Sequence, residues 1–160
     1  MNTNPLDSIV FITLPDDYQL PQDALKIDTT IPLPVQTNTS NAESFNPAEL
    51  TWEMILAGIL TILAYESDNP HIQYYRSLVN TTKPNIKSEL TEAAILKAKN
   101  EDWDIAEEIF AALRGLDPED AMTTLNSALF FDQKAESYRR SGLNEDADAY
   151  DALAFDYYKK

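Results

Sequence analysis

The chain has 160 residues, of which 44% are hydrophobic, and it carries 27 acidic and 12 basic residues but no cysteine. Its net charge of −15 disfavours nucleic acid and anionic membranes as partners, because phosphate groups are bound by clustered Lys and Arg. The lack of cysteine excludes disulfides, thiolate metal sites and cysteine nucleophiles. Such a charge favours a basic protein or peptide as partner. The alternative is that the charge only keeps the protein soluble.

The N-terminus and the apolar runs predict a cytoplasmic protein. The opening stretch lacks the basic residues and the small-residue cleavage site of a signal peptide. The longest apolar run, residues 54–65, is shorter than the roughly 20 residues that a membrane-spanning helix needs.

Residues 1–45 differ from the rest of the chain and are rich in Pro, Asn, Thr and Asp. The β-branched run 8–14 predicts a strand, whereas 30–36 is interrupted by two prolines and predicts an edge strand or extended coil. Residues 37–44 have the composition of a linker. We therefore expect an extended arm, which packs loosely on the first helix pair, caps the helices, or occupies a binding groove until a partner displaces it.

From Asn46 onward the apolar residues follow a helical period, and the pattern predicts six helices in three antiparallel pairs. Asn46 is a candidate N-cap, followed by Pro47 at the first helical position. Gly142 is the predicted end of the fifth helix, because glycine accepts the left-handed conformation found there. The predicted helices span about residues 46–67, 70–80, 86–99, 104–116, 119–141 and 145–160.

Two of the helix pairs share a fixed spacing. Pro84 and Pro118 follow the second and fourth helices and lie 34 residues apart. Ile72 and Ala106 each precede one of these prolines by twelve residues. A period near 34 with two helices per unit is typical of a helical solenoid.

Residues 101–120, EDWDIAEEIFAALRGLDPED, carry this pattern most clearly and resemble a unit of the tetratricopeptide repeat family. The matching residues are Trp103, Ala106, Phe110 and Pro118. A second unit in the C-terminal part is matched at Ala135, Tyr138, Gly142, Ala147 and Ala154. Small side chains let helices approach closely, and aromatic side chains fill the space beside them.

The resemblance implies an all-α solenoid of three helix pairs, about residues 47–84, 86–118 and 119–160, within a repeat domain of residues 46–160. The resemblance to the family is good over residues 86–160, fair over residues 47–85 and absent over residues 1–45. The alternative architecture is an antiparallel helical bundle in which the same small and aromatic side chains face the core.

Three features depart from the family pattern. Lys97 stands where an aromatic residue is usual, and Ala94 replaces a common glycine. Ala106 and Ala147 lie 41 residues apart rather than 34, and the excess of seven residues is about two α-helical turns. An insertion of two whole turns would lengthen the fifth helix without rotating its buried face. We therefore predict that this helix projects past the regular stack of helix pairs.

The last predicted helix has neither a helix stop nor a polar capping helix after it. Solenoids generally need such a cap, so Tyr157 and Tyr158 are expected to be partly exposed. The C-terminal helix would then pair with another copy in a homo-oligomer, or the repeat array would continue in a longer protein.

Few residues suggest catalysis. His71, the one histidine, is expected at the start of the second helix, and the three glycines are too isolated for a phosphate-binding loop. Glu107 and Glu108 are adjacent on a helix and diverge, and the acids of residues 146–151 lack the spacing of a calcium loop. We predict a protein that is not an enzyme and has no cofactor or metal. A hydrolase is the alternative, and it requires buried, convergent carboxylates with a raised pKa.

The resemblance also implies a function. The family binds partners on a concave face formed mainly by the first helix of each pair, which predicts a protein–protein interaction scaffold or adaptor. The candidate partner-binding residues are Thr91, Ile95, Asp132, Gln133 and Glu136. They lack the Lys, Arg and Asn combination with which some family members clamp a peptide carboxylate, so this acidic, partly apolar groove should prefer a segment carrying Lys or Arg. A small acidic bacterial secretion chaperone with three such repeats and one exported client is the alternative.

Overall fold

The computed structural model of the chain describes residues 5–14, 28, 30–37 and 49–160. The chain divides into two compact units, residues 1–86 and 87–160. The described part is mainly helical, as predicted, and the first unit also contains a small antiparallel sheet. Almost all of the predicted linker, residues 38–44, lies outside the described residues.

Two short strands form the sheet of the first unit. A 3-10 turn, Pro5–Ser8, leads into β1 (Ile9–Ile12), which pairs antiparallel with β2 (Leu33–Gln36). Val10 lies opposite Val35 in this pairing. The strand predicted within residues 8–14 is therefore confirmed, and residues 30–36 also contain a strand. The sheet has two strands in the described part, so β2 has a free edge and tolerates a proline.

Strand β2 packs directly on helix α1 (Trp52–Tyr65). A Cβ atom on Gly58 would lie 2.8 Å from the backbone nitrogen of Val35 and still closer to the carbonyl oxygen of Pro34. Glycine is therefore required at this position of α1, because only a bare backbone lets the strand approach so closely.

Helix α1 begins later than predicted. Thr51 is its N-cap, and the Thr51 side-chain oxygen accepts a hydrogen bond from the Met54 backbone N–H at 3.2 Å. The cap predicted for this helix at Asn46 is therefore wrong, and Asn46 and Pro47 themselves lie outside the described residues.

Residues 32–35 of the N-terminal arm belong to the core of the first unit. Leu33 and Val35 are buried, and the hydroxyl of buried Tyr75 in helix α2 (Ile72–Thr82) donates a 2.7 Å hydrogen bond to the carbonyl of Pro32. The loose packing that was one expectation for the arm is therefore wrong for these residues.

Four helices form the second unit: α3 (Ile86–Lys99), α4 (Trp103–Leu116), α5 (Ala121–Arg140) and α6 (Asn144–Tyr158). Their limits lie within two residues of the prediction. Helix α5 has 20 residues, six more than the 14 of α3 and α4, which agrees with the predicted lengthening by about two turns.

Small and aromatic side chains share the core of the second unit. Ala94, Ala106 and Ala154 are buried on three different helices. Phe110 and Phe130 fill the space between them, with ring centroids 5.2 Å apart. Of the other predicted repeat positions, Ala135 and Ala147 are buried, Trp103 and Tyr138 are half-buried, and Pro118 and Gly142 lie exposed in turns.

Helices α5 and α6 pair in antiparallel orientation. Near one end of the pair the rings of Tyr138 and Tyr150 lie 5.0 Å apart, and near the other end those of Phe131 and Tyr157 lie 5.6 Å apart. The contacting residue number falls along α5, from 138 to 131, as it rises along α6, from 150 to 157. The two helices are therefore antiparallel.

The turns after α3 and α5 have the same geometry. Gly142 has a φ of 83°; its N–H donates to Arg139 O, and Leu143 N–H donates to Tyr138 O. This pair of hydrogen bonds is a Schellman motif, so the predicted helix stop at Gly142 is confirmed. Glu101 repeats the motif with a φ of 63°. It precedes Gly142 by 41 residues, the spacing that also separates Ala106 from Ala147.

The first unit follows this pattern less closely. Ala106 and Ala147 are each the fourth residue of their helix and are buried. Ile72 is the first residue of α2 and is half-buried, whereas the fourth, Tyr75, is buried. Ile72 and Ala106 therefore lie at the same distance from the end of their helices but at different distances from the start, because α2 has 11 residues where α4 has 14.

Candidate partner-binding groove

A shallow groove lies between α3 and α5. A depression of about 150 Å³ includes Ile95 and Ala98 of α3 together with Leu129 and Gln133 of α5. It shares Ile95, Ala98 and Gln133 with a second depression of about 310 Å³, which extends to Glu136. We call this continuous surface the α3–α5 groove.

Three of the five predicted binding residues line this groove, namely Ile95, Gln133 and Glu136. Asp132 instead accepts a 2.6 Å hydrogen bond from the Tyr158 hydroxyl of α6. Thr91 lies about one turn before Ile95 and donates to the carbonyl of Lys87, within its own helix. The structure therefore brings together Ile95, Gln133 and Glu136, but places Asp132 and Thr91 in other contacts.

The exposed side of α5 carries an apolar stripe. Met122, Leu125 and Leu129 are 61%, 42% and 44% exposed and follow each other at helical spacing. Leu129 reaches the groove, where Ile95 of α3 is 50% exposed. The prediction missed this stripe, because α5 also buries Phe130 on another side and the apolar pattern alone does not show which side is covered.

Charges of both signs surround the wider part of the groove. Glu101 and Glu136 line it together with Lys99 and Arg140. The groove is therefore mixed in charge rather than acidic as expected. Acidic side chains are concentrated next to it, at the turn between α3 and α4.

That turn forms a pocket of about 370 Å³, which we call the Trp103 pocket. Trp103, Ile105 and Tyr138 supply its apolar and aromatic lining. The carboxylates that line it belong to Glu101, Asp102 and Asp104. Aromatic faces beside carboxylates suit a cationic side chain, which is attracted by both.

Glu101 lines both the Trp103 pocket and the groove. Its positive φ of 63° is unfavourable for a residue with a side chain, and the corresponding residue after α5 is Gly142. The chain thus retains a carboxylate at a position where glycine would relieve backbone strain.

Two cations are packed inside the second unit rather than at the groove. The ammonium of buried Lys134 lies 4.2 Å from the ring centroid of Tyr150 and 4.0 Å from a carboxylate oxygen of Glu107. Arg114 lies over the ring of Tyr157 and donates to the Ser127 hydroxyl, and burial lowers its pKa. These aromatic contacts hold α4, α5 and α6 together.

The acidic residues considered for catalysis have other contacts. Glu107 approaches Lys134, whereas Glu108 is exposed. Arg139 donates to both Asp148 and Asp151, at 3.0 and 2.7 Å.

Asp120, before α5, also differs from the carboxyl group that a hydrolase would use. Its pKa lies below the ordinary value, chiefly because the Thr123 hydroxyl donates to it, with Lys87 also nearby. A general acid needs the opposite shift.

His71 lies immediately before α2, as its N-cap residue, rather than within the first turn as predicted. Its backbone N–H donates to the Asn69 side chain, and its ring lies edge-to-face with that of Tyr75. Within residues 5–14, 28, 30–37 and 49–160, no three His, Cys, Asp or Glu residues are grouped so that they could bind a metal ion.

Among the helices of the described ranges, none combines the length and the apolar character needed to cross a membrane. Comparison of the chain with protein-family models, curated proteins and solved structures finds no match. The resemblance to tetratricopeptide repeats therefore stays a prediction.

Proposed function

We propose that this chain is a non-catalytic interaction scaffold whose α3–α5 groove binds a segment of another protein. The observation that carries the proposal is the exposed apolar stripe of α5, whose Leu129 lines the groove together with exposed Ile95. Contiguous exposed apolar side chains rimmed by polar ones are typical of protein–protein contact sites.

Tetratricopeptide-like packing is part of the proposal. It is supported by the two equivalent turns at Glu101 and Gly142 and by the buried alanines at the fourth positions of α4 and α6. In such a repeat α3 and α5 are the first helices of consecutive pairs, and the groove between them is the surface that the family uses.

The partner segment should combine apolar and basic side chains. Apolar side chains would cover Leu125 and Leu129, and a Lys or Arg would enter the Trp103 pocket beside Glu101 and Asp102. A cation there gains from the carboxylates and from the aromatic rings, whereas the neighbouring Lys99 and Arg140 disfavour a uniformly basic segment.

Site-specific photo-crosslinking tests the proposal. A photoreactive amino acid at Leu129 should capture one protein from a lysate of the source cell, and the same group at exposed Glu108 on α4 serves as the control. With the captured partner purified, Leu129→Asp should weaken binding about tenfold or more, because a charge replaces an apolar contact. Glu108→Lys should leave the affinity unchanged.

Two results would contradict the groove assignment. One is equal capture from positions 129 and 108. The other is a partner whose affinity is insensitive to Leu129→Asp while circular dichroism shows the variant to be folded.

A further inference from the structure

Two turns of the second unit have the same backbone but different residues at the equivalent place. After α3, the Glu101 N–H donates to the Ala98 carbonyl at 3.0 Å, and the next N–H donates to the Lys97 carbonyl at 2.9 Å. The turn after α5 repeats this pattern at Gly142. Glu101 and Gly142 are therefore equivalent, and their φ values are 63° and 83°.

Glutamate is an unfavourable residue for this conformation. A left-handed residue with a side chain brings its Cβ atom close to a backbone oxygen, whereas glycine adopts the conformation freely. A Cβ atom added at Gly142 would meet nothing within 4 Å apart from its chain neighbours. Glycine is therefore used there for its backbone alone, and the turn at Glu101 carries a strain that the turn at Gly142 avoids.

In the described part of the chain, the contacts of the Glu101 side chain do not offset this strain. Its carboxylate is exposed and forms no hydrogen bond or ion pair there. It also lies between the negative end of the α3 dipole and the positive end of the α4 dipole, whose effects oppose each other. The two neighbouring acids have structural roles: Asp102 lies 3.9 Å from the Lys97 ammonium, and Asp104 lies in the first turn of α4, where negative charge is favourable.

The Glu101 side chain lies where a partner segment would pass. It lines the α3–α5 groove and also the Trp103 pocket. In that pocket it stands beside the aromatic side chains of Trp103 and Tyr138. Backbone strain that the rest of the structure does not explain is typical of residues that serve binding or catalysis.

We propose that Glu101 is a specificity-determining residue, which selects an arginine in the partner segment and is retained although glycine would give a more stable turn. This inference rests on the proposed function, because the α3–α5 groove brings the segment to the pocket. An arginine suits the pocket, since its planar guanidinium stacks on an aromatic ring and donates two parallel hydrogen bonds to a carboxylate. Lys99 and Arg140 line the groove but not the pocket, so the pocket is the place that favours a cation.

Thermal unfolding of the full chain tests the strain without any partner. Glu101→Gly should raise the melting temperature by about 2–4 °C, because the relief of strain exceeds the greater freedom of glycine in the unfolded chain. Glu101→Gln keeps the strained backbone and should leave the melting temperature unchanged. A melting temperature that Glu101→Gly leaves unchanged or lowers would overturn the proposal, because glycine would then offer the turn no advantage.

A small probe tests the charge in the full chain. N-acetyl-arginine amide supplies the guanidinium, and N-acetyl-citrulline amide, with a neutral urea group of the same shape, is its control. The NMR signal of the Trp103 indole N–H should show saturable binding of the arginine compound in the millimolar range. Glu101→Gly and Glu101→Gln should each weaken this binding about threefold, as expected for a partly exposed charge pair.

Glu108→Gln is the matched control, because it removes one charge from the exposed surface of α4, and it should leave the binding of the arginine compound unchanged. Absent binding, equal binding of the arginine and citrulline compounds, or binding insensitive to Glu101→Gln would overturn the proposal.

Leu129→Asp distinguishes this failure from a failure of the groove. That variant should leave the binding of the arginine compound unchanged, although it weakens the binding of the partner segment. An incorrect groove assignment would therefore appear in the crosslinking at Leu129, and an incorrect role of Glu101 would appear in the melting temperature and the arginine titration.

Discussion

Tyr75 shows how one side chain joins the N-terminal arm to the helices of the first unit. Its ring is buried, and its hydroxyl donates a 2.7 Å hydrogen bond to the carbonyl of Pro32, just before β2. Tyr75→Phe would keep the ring but leave that carbonyl without its donor. We expect the free energy of unfolding to fall by about 1 kcal/mol, measured by chemical denaturation at neutral pH.

The same residue predicts a dependence of stability on pH. Burial raises the pKa of Tyr75 to about 12, whereas an unfolded tyrosine has a pKa near 10. Between these values the unfolded chain loses this proton and the folded chain retains it, so the stabilisation present below pH 10 is lost as the pH rises to about 12. The stability of wild type relative to Tyr75→Phe should therefore fall over this range and change sign, because raising a pKa from near 10 to about 12 outweighs one hydrogen bond. A difference that stays constant would contradict the shifted pKa.

At the scale of elements, Gly58 determines how closely β2 packs on α1. Alanine normally stabilises a helix interior by about 1 kcal/mol relative to glycine. Here its Cβ would meet the backbone of Pro34 and Val35, so Gly58→Ala should instead destabilise the protein by about 1–3 kcal/mol. Denaturation measures the sign, and hydrogen exchange should show faster exchange in residues 33–36.

Ala57→Gly is the matched control, because it changes the neighbouring helical residue in the opposite direction. It should cost about 1 kcal/mol through helix propensity, without selective loss of protection in β2. A stabilising Gly58→Ala substitution would show that the strand does not approach the helix as closely as in the structure.

Local signals explain why the limits of most helices could be predicted. Prolines, polar turns and Gly142 lie beside the helix ends that they determine, and the limits of the second unit were accurate for that reason. The pairing of β1 with β2 could not be predicted, because about twenty residues separate the two strands, far more than the roughly two to five residues of a hairpin loop. Gly58 inside an apolar helix was the one indication that another backbone approaches there.

The groove was predicted only in part for a related reason. Helix order along the chain placed Ile95, Gln133 and Glu136 on α3 and α5, where they line one surface. The exposed stripe of α5 was missed, because periodicity identifies an apolar face but not whether a neighbour covers it. Glu101 was missed as well, since a glutamate at a left-handed turn position has no sequence signal comparable to glycine.

At the scale of the whole molecule, the second unit has a core of its own. Residues from all four of its helices contribute to one hydrophobic cluster, in which Phe110, Phe130 and Phe131 are buried. Lys87 also donates a 2.8 Å hydrogen bond to Asp117, which ties the start of α3 to the end of α4. These contacts lie within residues 87–160.

We therefore expect a fragment of residues 87–160 to fold alone. Domains of this size bury only about 60% of the surface that their unfolded chain exposes, so its stability should be small but its unfolding cooperative. Circular dichroism should show a helical spectrum with a single thermal transition, and Phe130→Ala in the fragment should remove that transition, because it opens a cavity in the shared core. A fragment without helical signal would show that this core is insufficient by itself.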